Sequence, residues 1–210
     1  MKQITFYLVR HGRTEWNEQG LMQGSGDSPL TEQGVQGAIR TGKALSAIDF
    51  SAVYTSCLQR TIDTAKYIVG NRAVPIFQHK GLNEHAFGSW EGQVVETLRQ
   101  TEEFQQMLTT PAHYKGISNG GETYEALAVR AMNAMLDIIK VHDKGNILIV
   151  SHGHTLRILL ALFNGATWRN HREPGRSEAL LNTSISIVKF EEKDCVGNFT
   201  VEQCNNIEHL

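Results

Sequence analysis

The run Asn146-Ile147-Leu148-Ile149-Val150 constrains this chain more than any other feature. It is apolar without alternation from Ile147 onward, opened by Lys144-Gly145 and closed by Ser151-His152-Gly153. A short run of this kind predicts a strand covered on both faces, and such strands belong to parallel sheets with helices on either side. Ile4 to Val9 and Ala52 to Thr55 are further runs of β-formers, and Val74 to Phe77 is a weaker one. Ser184 to Phe190 alternates, and Phe199 to Cys204 can pair with it as an antiparallel edge. Helical spacing lies between them. Val35, Ala38, Ile39, Gly42 and Leu45 share one face of a helix starting near Thr31, and Tyr124, Leu127, Ala128, Ala131, Met135 and Ile138 share another. Further helices are expected after Ser56, read as an N-cap, and from about His154 to Phe163. The order predicts an α/β fold, a three-layer sandwich. Its central sheet is mostly parallel with an antiparallel edge strand, helices cover both faces, and ligands bind beyond the carboxyl ends of the strands.

One stretch resists this alternation. Residues 81–121 carry Gly88, Gly92, Pro111, Gly116 and Gly120, with a helix expected only around 94–108. An excursion of that length inside a compact domain is expected to be a lid over a site. The 210 residues are otherwise read as a single domain. Lys and Arg number 20 against 22 Asp and Glu, a net charge of −2, which excludes a broad basic face for nucleic acid or membrane but permits a small cationic pocket. Cys57, Cys195 and Cys204 are scattered and odd in number, which predicts free thiols in a reducing compartment. With no signal-peptide core at the N-terminus and no long apolar run, a cytoplasmic protein is expected.

The residues after the strands suggest chemistry. Arg10-His11-Gly12 follows the first, Arg60 lies one helical turn beyond the second, and His152-Gly153-His154 follows the strongest. On a parallel sheet these groups converge at one edge, and two guanidiniums beside a helix N-terminus suit a phosphoryl group. Neutral His11 is then expected to attack phosphorus while Arg10 and Arg60 hold the equatorial oxygens. His152 is expected as a further donor, protonated when phosphate charge is near. Glu84, at the start of the lid, is the candidate acid for the departing alkoxide and the later base for water.

These residues carry a resemblance. Arg10-His11-Gly12-Arg13-Thr14-Glu15-Trp16-Asn17 resembles the R-H-G-x-[TS]-x-x-N signature of the histidine phosphatase superfamily, the branch that includes cofactor-dependent phosphoglycerate mutases. Five fixed positions match by chance on the order of once in a few million starting points. Gln23 to Thr31 is similar to the family's Q-G-x-x-D-x-P-L-T, Ser56 to Thr61 to its S-x-L-x-R-[TA], Leu82 to Gly92 to its L-x-E-x-x-x-G-x-W-E-G, and Ser151-His152-Gly153 to its second-histidine motif. The resemblance implies a phosphoglycerate mutase-like fold, His11 as the phosphorylated nucleophile, Arg10, Arg60 and His152 as the phosphate pocket, and Glu84 as proton donor. It further implies Asn17, Gln23, Gly24 and the Gly153 amide as substrate or phosphate contacts, and no metal or cofactor.

Several residues also have plainer readings. His152 and His154 could form a metal pair, but no acidic motif accompanies them, and His154 is expected at the pocket edge. His85 is expected to be solvent-exposed, Glu122 and Glu125 to serve the dipole of the following helix, and Trp90 and Trp168 to pack. Cys57 lacks the arginine six residues on that a cysteine phosphatase needs, since Asp63 stands there. Between phosphotransfer reactions, residues 94–121 offer only Arg99 and Lys115 for a second anionic group, which disfavours a mutase. The expectation is a phosphatase for a small phosphomonoester, of sugar phosphate or phosphoglycerate type, acting as monomer or homodimer without nucleic-acid or membrane partners. A cofactor-dependent mutase and a weakly active phosphate-binding regulatory module are the alternatives.

Overall fold

A computed structural model describes residues 1–210. The chain order is β1 (Gln3–Arg10), α1 (Glu15–Glu18), α2 (Glu32–Ala44), β2 (Phe50–Thr55), α3 (Gln59–Val69), β3 (Ile76–Gln78), α4 (Val95–Leu98), α5 (Glu102–Thr109), α6 (Tyr124–Val141), β4 (Lys144–Ser151), α7 (Gly153–Phe163), β5 (Ile185–Lys193) and β6 (Val196–Asn206). The strands form one sheet in the order β3-β2-β4-β1-β5-β6. The first four are mutually parallel, β5 runs antiparallel to β1, and β6 antiparallel to β5.

The central run of β4 is buried on both faces, and its side chains divide by parity. Ile147 and Ile149 join a cluster with Ile4, Phe6 and Leu8 of β1 and residues of α6 and α7. Leu148 and Val150 join a second cluster with Tyr7, Val9, and Ala38, Ala65 and Ile68 of α2 and α3. Each fully buried aliphatic side chain contributes about 1.5–3 kcal/mol relative to exposure, so helices on both faces follow from this one strand.

The parallel register decides where the loops emerge. Arg10 lies opposite Ser151 on β4, and Thr55 of β2 opposite Val150. The amides of His11 and Ser56 continue the ladder, donating to Ser151 O at 3.0 Å and Val150 O at 3.3 Å. Three strands therefore stop at one level, and their following residues share one edge.

Three local expectations are corrected. The third strand begins at Ile76 because Pro75, which has no N–H to donate, precedes it. The helix expected over 94–108 is two short helices, α4 and α5, separated at 99–101. The cap of α3 is Leu58, while Ser56 lies outside the helix and its Oγ accepts from the Leu58 amide at 3.1 Å. The stretch 81–121 packs through its own cluster, in which Phe87, Trp90, Leu98, Phe104, Met107 and Tyr114 meet Tyr124, Leu127 and Ile158 of α6 and α7. Trp90 and Trp168 pack there as expected. No helix is long and apolar enough to cross a membrane.

Candidate active site

His11 is 3% exposed at the end of β1. Its Nδ1 lies 2.8 Å from the carbonyl of Gly12. A carbonyl only accepts, so Nδ1 carries the proton and Nε2 presents its lone pair. Burial, then Arg60 and Arg10, push the His11 pKa well below the usual histidine value, against the opposing bond to Gly12. The ring is therefore neutral at pH 7, with an unprotonated Nε2. Gly12 allows the loop to pass close to α2, since a Cβ there would sit 2.7 Å from the carbonyl oxygen of Gly34.

The His152 ring stands 5.2 Å from that of His11, centroid to centroid, at 61°. Its Nε2 pairs with Ser56 Oγ at 2.8 Å. Burial, followed by Arg60, lowers its pKa well below the usual value, so His152 is neutral until an anion arrives. This limits the expected protonated donor to the phosphate-bound state. Arg60, 1% exposed, donates through Nη1 to Gly26 O and Asp27 Oδ1, both at 2.8 Å, and through Nη2 to Gly24 O at 2.7 Å. Gly24 thus meets Arg60 through its carbonyl, and its tight surroundings, with Glu91 Oε1 and the His85 carbonyl near any added Cβ, keep that loop against the arginine. Arg10 Nη1 donates to Leu180 O at 2.6 Å.

Arg10 Nε, Arg60 Nε and His152 Nδ1 are three of six buried side-chain polar atoms in the molecule that have no partner. Buried polar atoms are normally satisfied, and leaving three unsatisfied in one place is costly unless a ligand supplies acceptors.

Glu84, 6% exposed, receives α7. Its Oε1 accepts from the amides of His85 (2.8 Å) and Thr155 (3.1 Å) and from Thr155 Oγ1 (3.2 Å). Its Oε2 accepts only the His154 amide, at 3.1 Å. Gly153, the first residue of α7, lies against Arg10, whose Nε would be 3.4 Å from a Cβ placed there. A cavity of about 310 Å³ opens over this edge. Arg10, Asn17, Gln23, Glu84 and Gly153 line it, together with Phe87, Val95, Phe104, Met107 and Leu108 from the lid side. His11, Arg60 and His152 are not among its lining residues.

Several residues were invisible in the sequence. Asn182 donates through Nδ2 to His11 O at 2.9 Å and to Asn17 Oδ1 at 3.3 Å, and Thr183 beside it adopts a left-handed φ of 58°. A β-branched residue there is an outlier of the kind held at functional sites. Glu122 pairs with Arg130 at 2.6 Å, and Arg130 also donates to the carbonyls of Gly81, Asn83 and Glu84. Glu122 therefore anchors the Glu84 loop instead of serving the α6 dipole. Glu91 accepts the amides of Ser25, Gly26 and Phe87. His85 is fully buried, with Nε2 2.5 Å from Glu122 O, and burial lowers its pKa to about 3, which corrects the expected exposure. His154 lines the cavity but turns from His152 toward Tyr124 and Arg172, so the two do not form a metal pair. Of the two cations expected from residues 94–121, Arg99 lines the cavity and Lys115 does not, while Arg157 and Arg172, from outside that stretch, line it as well.

A family model described as histidine phosphatase superfamily (branch 1) matches residues 6–204. The chain belongs to this superfamily. As a histidine phosphatase superfamily member, it is 31% identical over 211 residues to a protein named "Probable phosphoglycerate mutase GpmB" from Enterobacter sp. (strain 638), covering 99% of this chain and 95% of the relative. Its fold superimposes on YhfR of Bacillus stearothermophilus with a TM-score of 0.88 at 35% identity, over 98% of each chain. The phosphoserine phosphatase of Entamoeba histolytica, solved with 3-phosphoglyceric acid, matches with a TM-score of 0.82 at 26% identity, again over 98% of each chain. The mostly parallel six-stranded sheet described above is therefore a fold shared with these solved relatives.

Proposed function

We propose that this histidine phosphatase superfamily member hydrolyses a small phosphomonoester through a phosphohistidine formed on His11. The observation that carries this reading is the trio of unpartnered buried nitrogens on Arg10, Arg60 and His152 beside a neutral, buried His11. A phosphoryl group supplies acceptors to the two guanidiniums, and to His152 once its negative charge draws a proton onto that ring. His11 Nε2 attacks phosphorus as the bond to the ester oxygen breaks, and Glu84 delivers a proton to that oxygen from Oε2, the carboxyl oxygen with the fewer protein donors. Water then attacks the phosphohistidine, Glu84 takes its proton, and inorganic phosphate leaves. Asn17, Gln23 and the Gly153 amide are assigned to the substrate at the inner end of the cavity, and Gly24 to holding Arg60.

The test is turnover of an aryl phosphate and of 3-phosphoglycerate by the parent chain and by His11→Ala. Loss of at least about 10³-fold is expected, together with an acid-labile phosphoprotein in rapidly quenched parent enzyme. Undiminished turnover in His11→Ala would overturn the reading. A mutase reading gains from Arg157 and Arg172 in the cavity wall, because a phosphorylated intermediate must be retained there through its second anionic group. Turnover that rises with added bisphosphoglycerate and exceeds hydrolysis would select it.

A further inference from the structure

Arg157 and Arg172 stand side by side without a counterion. Arg157 projects from α7, three residues after His154, and donates through Nε to Ser177 Oγ at 2.8 Å and through Nη2 to Ser177 O at 3.3 Å. Arg172, in the segment that follows α7, donates through Nε to the Tyr124 hydroxyl at 3.0 Å and through Nη2 to His154 Nδ1 at 3.2 Å. Every one of these acceptors is neutral. No carboxylate lies within ion-pair distance of either guanidinium, although four other arginines, Arg13, Arg60, Arg99 and Arg130, have such a partner. 

The two unpaired cations repel each other. Burial and then Arg172 lower the Arg157 pKa to about 10, with Tyr124 and Glu178 opposing, and His154 is held neutral by burial and by Arg172, so it supplies no negative charge. Adjacent, partly buried cations without an anion destabilise a fold, and a bound oxyanion relieves that cost through charge-assisted hydrogen bonds.

Their position gives the pair a role. Both line the same cavity as Arg10 and Glu84. Two contacts lead from the acid to the pair: the His154 amide donates to Glu84 Oε2, and the His154 ring accepts from Arg172. The pair therefore lies on the side of Glu84 to which the leaving alcohol would depart. Apolar walls, including Phe87, Phe104 and Leu180, exclude water and strengthen charge interactions there. We propose that Arg157 and Arg172 form a second oxyanion subsite, so that the preferred ester carries a carboxylate or a second phosphoryl group on the alcohol it releases. This rests on the phosphatase reading for its placement of the leaving group, but not for its test.

The test is calorimetric binding to the full chain carrying His11→Ala, which removes turnover and leaves both cation sites intact. The probes are two pairs differing by one anionic group: 3-phosphoglycerate against glycerol 3-phosphate, and fructose 1,6-bisphosphate against fructose 6-phosphate. At least ~10-fold tighter binding of the doubly anionic member is expected in one pair, and the pair that discriminates identifies carboxylate or phosphoryl as the second group. Arg157→Gln and Arg172→Gln should each reduce that preference to within ~2-fold while leaving the singly phosphorylated probe unchanged, and Arg172→Lys should retain part of it. Absence of a preference in both pairs, a preference that survives both Gln substitutions, or equal weakening of both members of a pair overturns the proposal. Discrimination in binding alongside a parent chain that turns nothing over would instead sink the phosphatase reading and leave the subsite standing.

Discussion

His11 depends on neighbours that hold its backbone as much as on those that hold its ring. Asn182 donates to the His11 carbonyl and to Asn17, tying the His11 loop to a segment 171 residues away in sequence. Asn182→Ala should lower kcat about 10-fold with KM within ~2-fold, because the lost contact positions the nucleophile without touching substrate, and steady-state kinetics reads that split. The proposed acid is tested by leaving group. Glu84→Gln should cost about 10²-fold or more with an alkyl ester and much less with p-nitrophenyl phosphate, whose phenolate needs little protonation. Equal losses on both esters would remove Glu84 from proton transfer. At this scale the sequence made Arg10, His11, Arg60, Glu84 and His152 legible, since each sits in a local motif. Ser56 behind His152 and Asn182 behind His11 were not, because those contacts form between distant segments.

Among the elements, the loop that carries Glu84 has two anchors. Glu84 itself accepts the first amides of α7, placing a carboxylate against a helix N-terminus, and Arg130 of α6 holds the carbonyls of residues 81, 83 and 84 while paired with Glu122. The Arg130 and Glu122 side chains are 26% and 15% exposed, so solvent screens the pair only partly. Arg130→Met should destabilise the fold by about 2–3 kcal/mol, short of the loss expected for a fully buried pair, as read by urea denaturation. Turnover should fall as well, because the Glu84 loop loses three backbone contacts. Helical periodicity revealed α6 but not this function, since the pattern of apolar residues reports the buried face and Arg130 works through the other side.

At the scale of the whole molecule, buried neutral histidines couple folding to pH. Burial lowers His85 to about 3 and His171 to about 4, from an ordinary value near 6.5. Below about pH 6.5 the unfolded chain takes up protons that the folded chain does not, so their contribution is fully present above 6.5 and is lost as pH falls toward the folded values. Each histidine adds about 1.4 kcal/mol per pH unit to the slope in that window. Denaturant midpoints should therefore drop steeply between pH 6 and about pH 4, and His85→Phe or His171→Phe should flatten the slope if the variant packs. A stability curve level across that range would contradict the buried neutral state. The net charge of −2 conceals this interior, where Arg10, Arg99, Arg157 and Arg172 line one cavity against the single carboxylate of Glu84.

The sequence by itself determined the α/β layering, the parallel strands' common edge and the residues proposed to hold phosphate there, because strand burial and loop chemistry are written in contiguous residues. Only the tertiary structure decided that His85 is buried, that Glu122 anchors the Glu84 loop through Arg130, and that Arg157 and Arg172 face the same cavity as Arg10 and Glu84. Those facts depend on how α6, α7 and the segment after it pack together. Local periodicity tells which face of each is apolar, but not which side chains from separate elements meet.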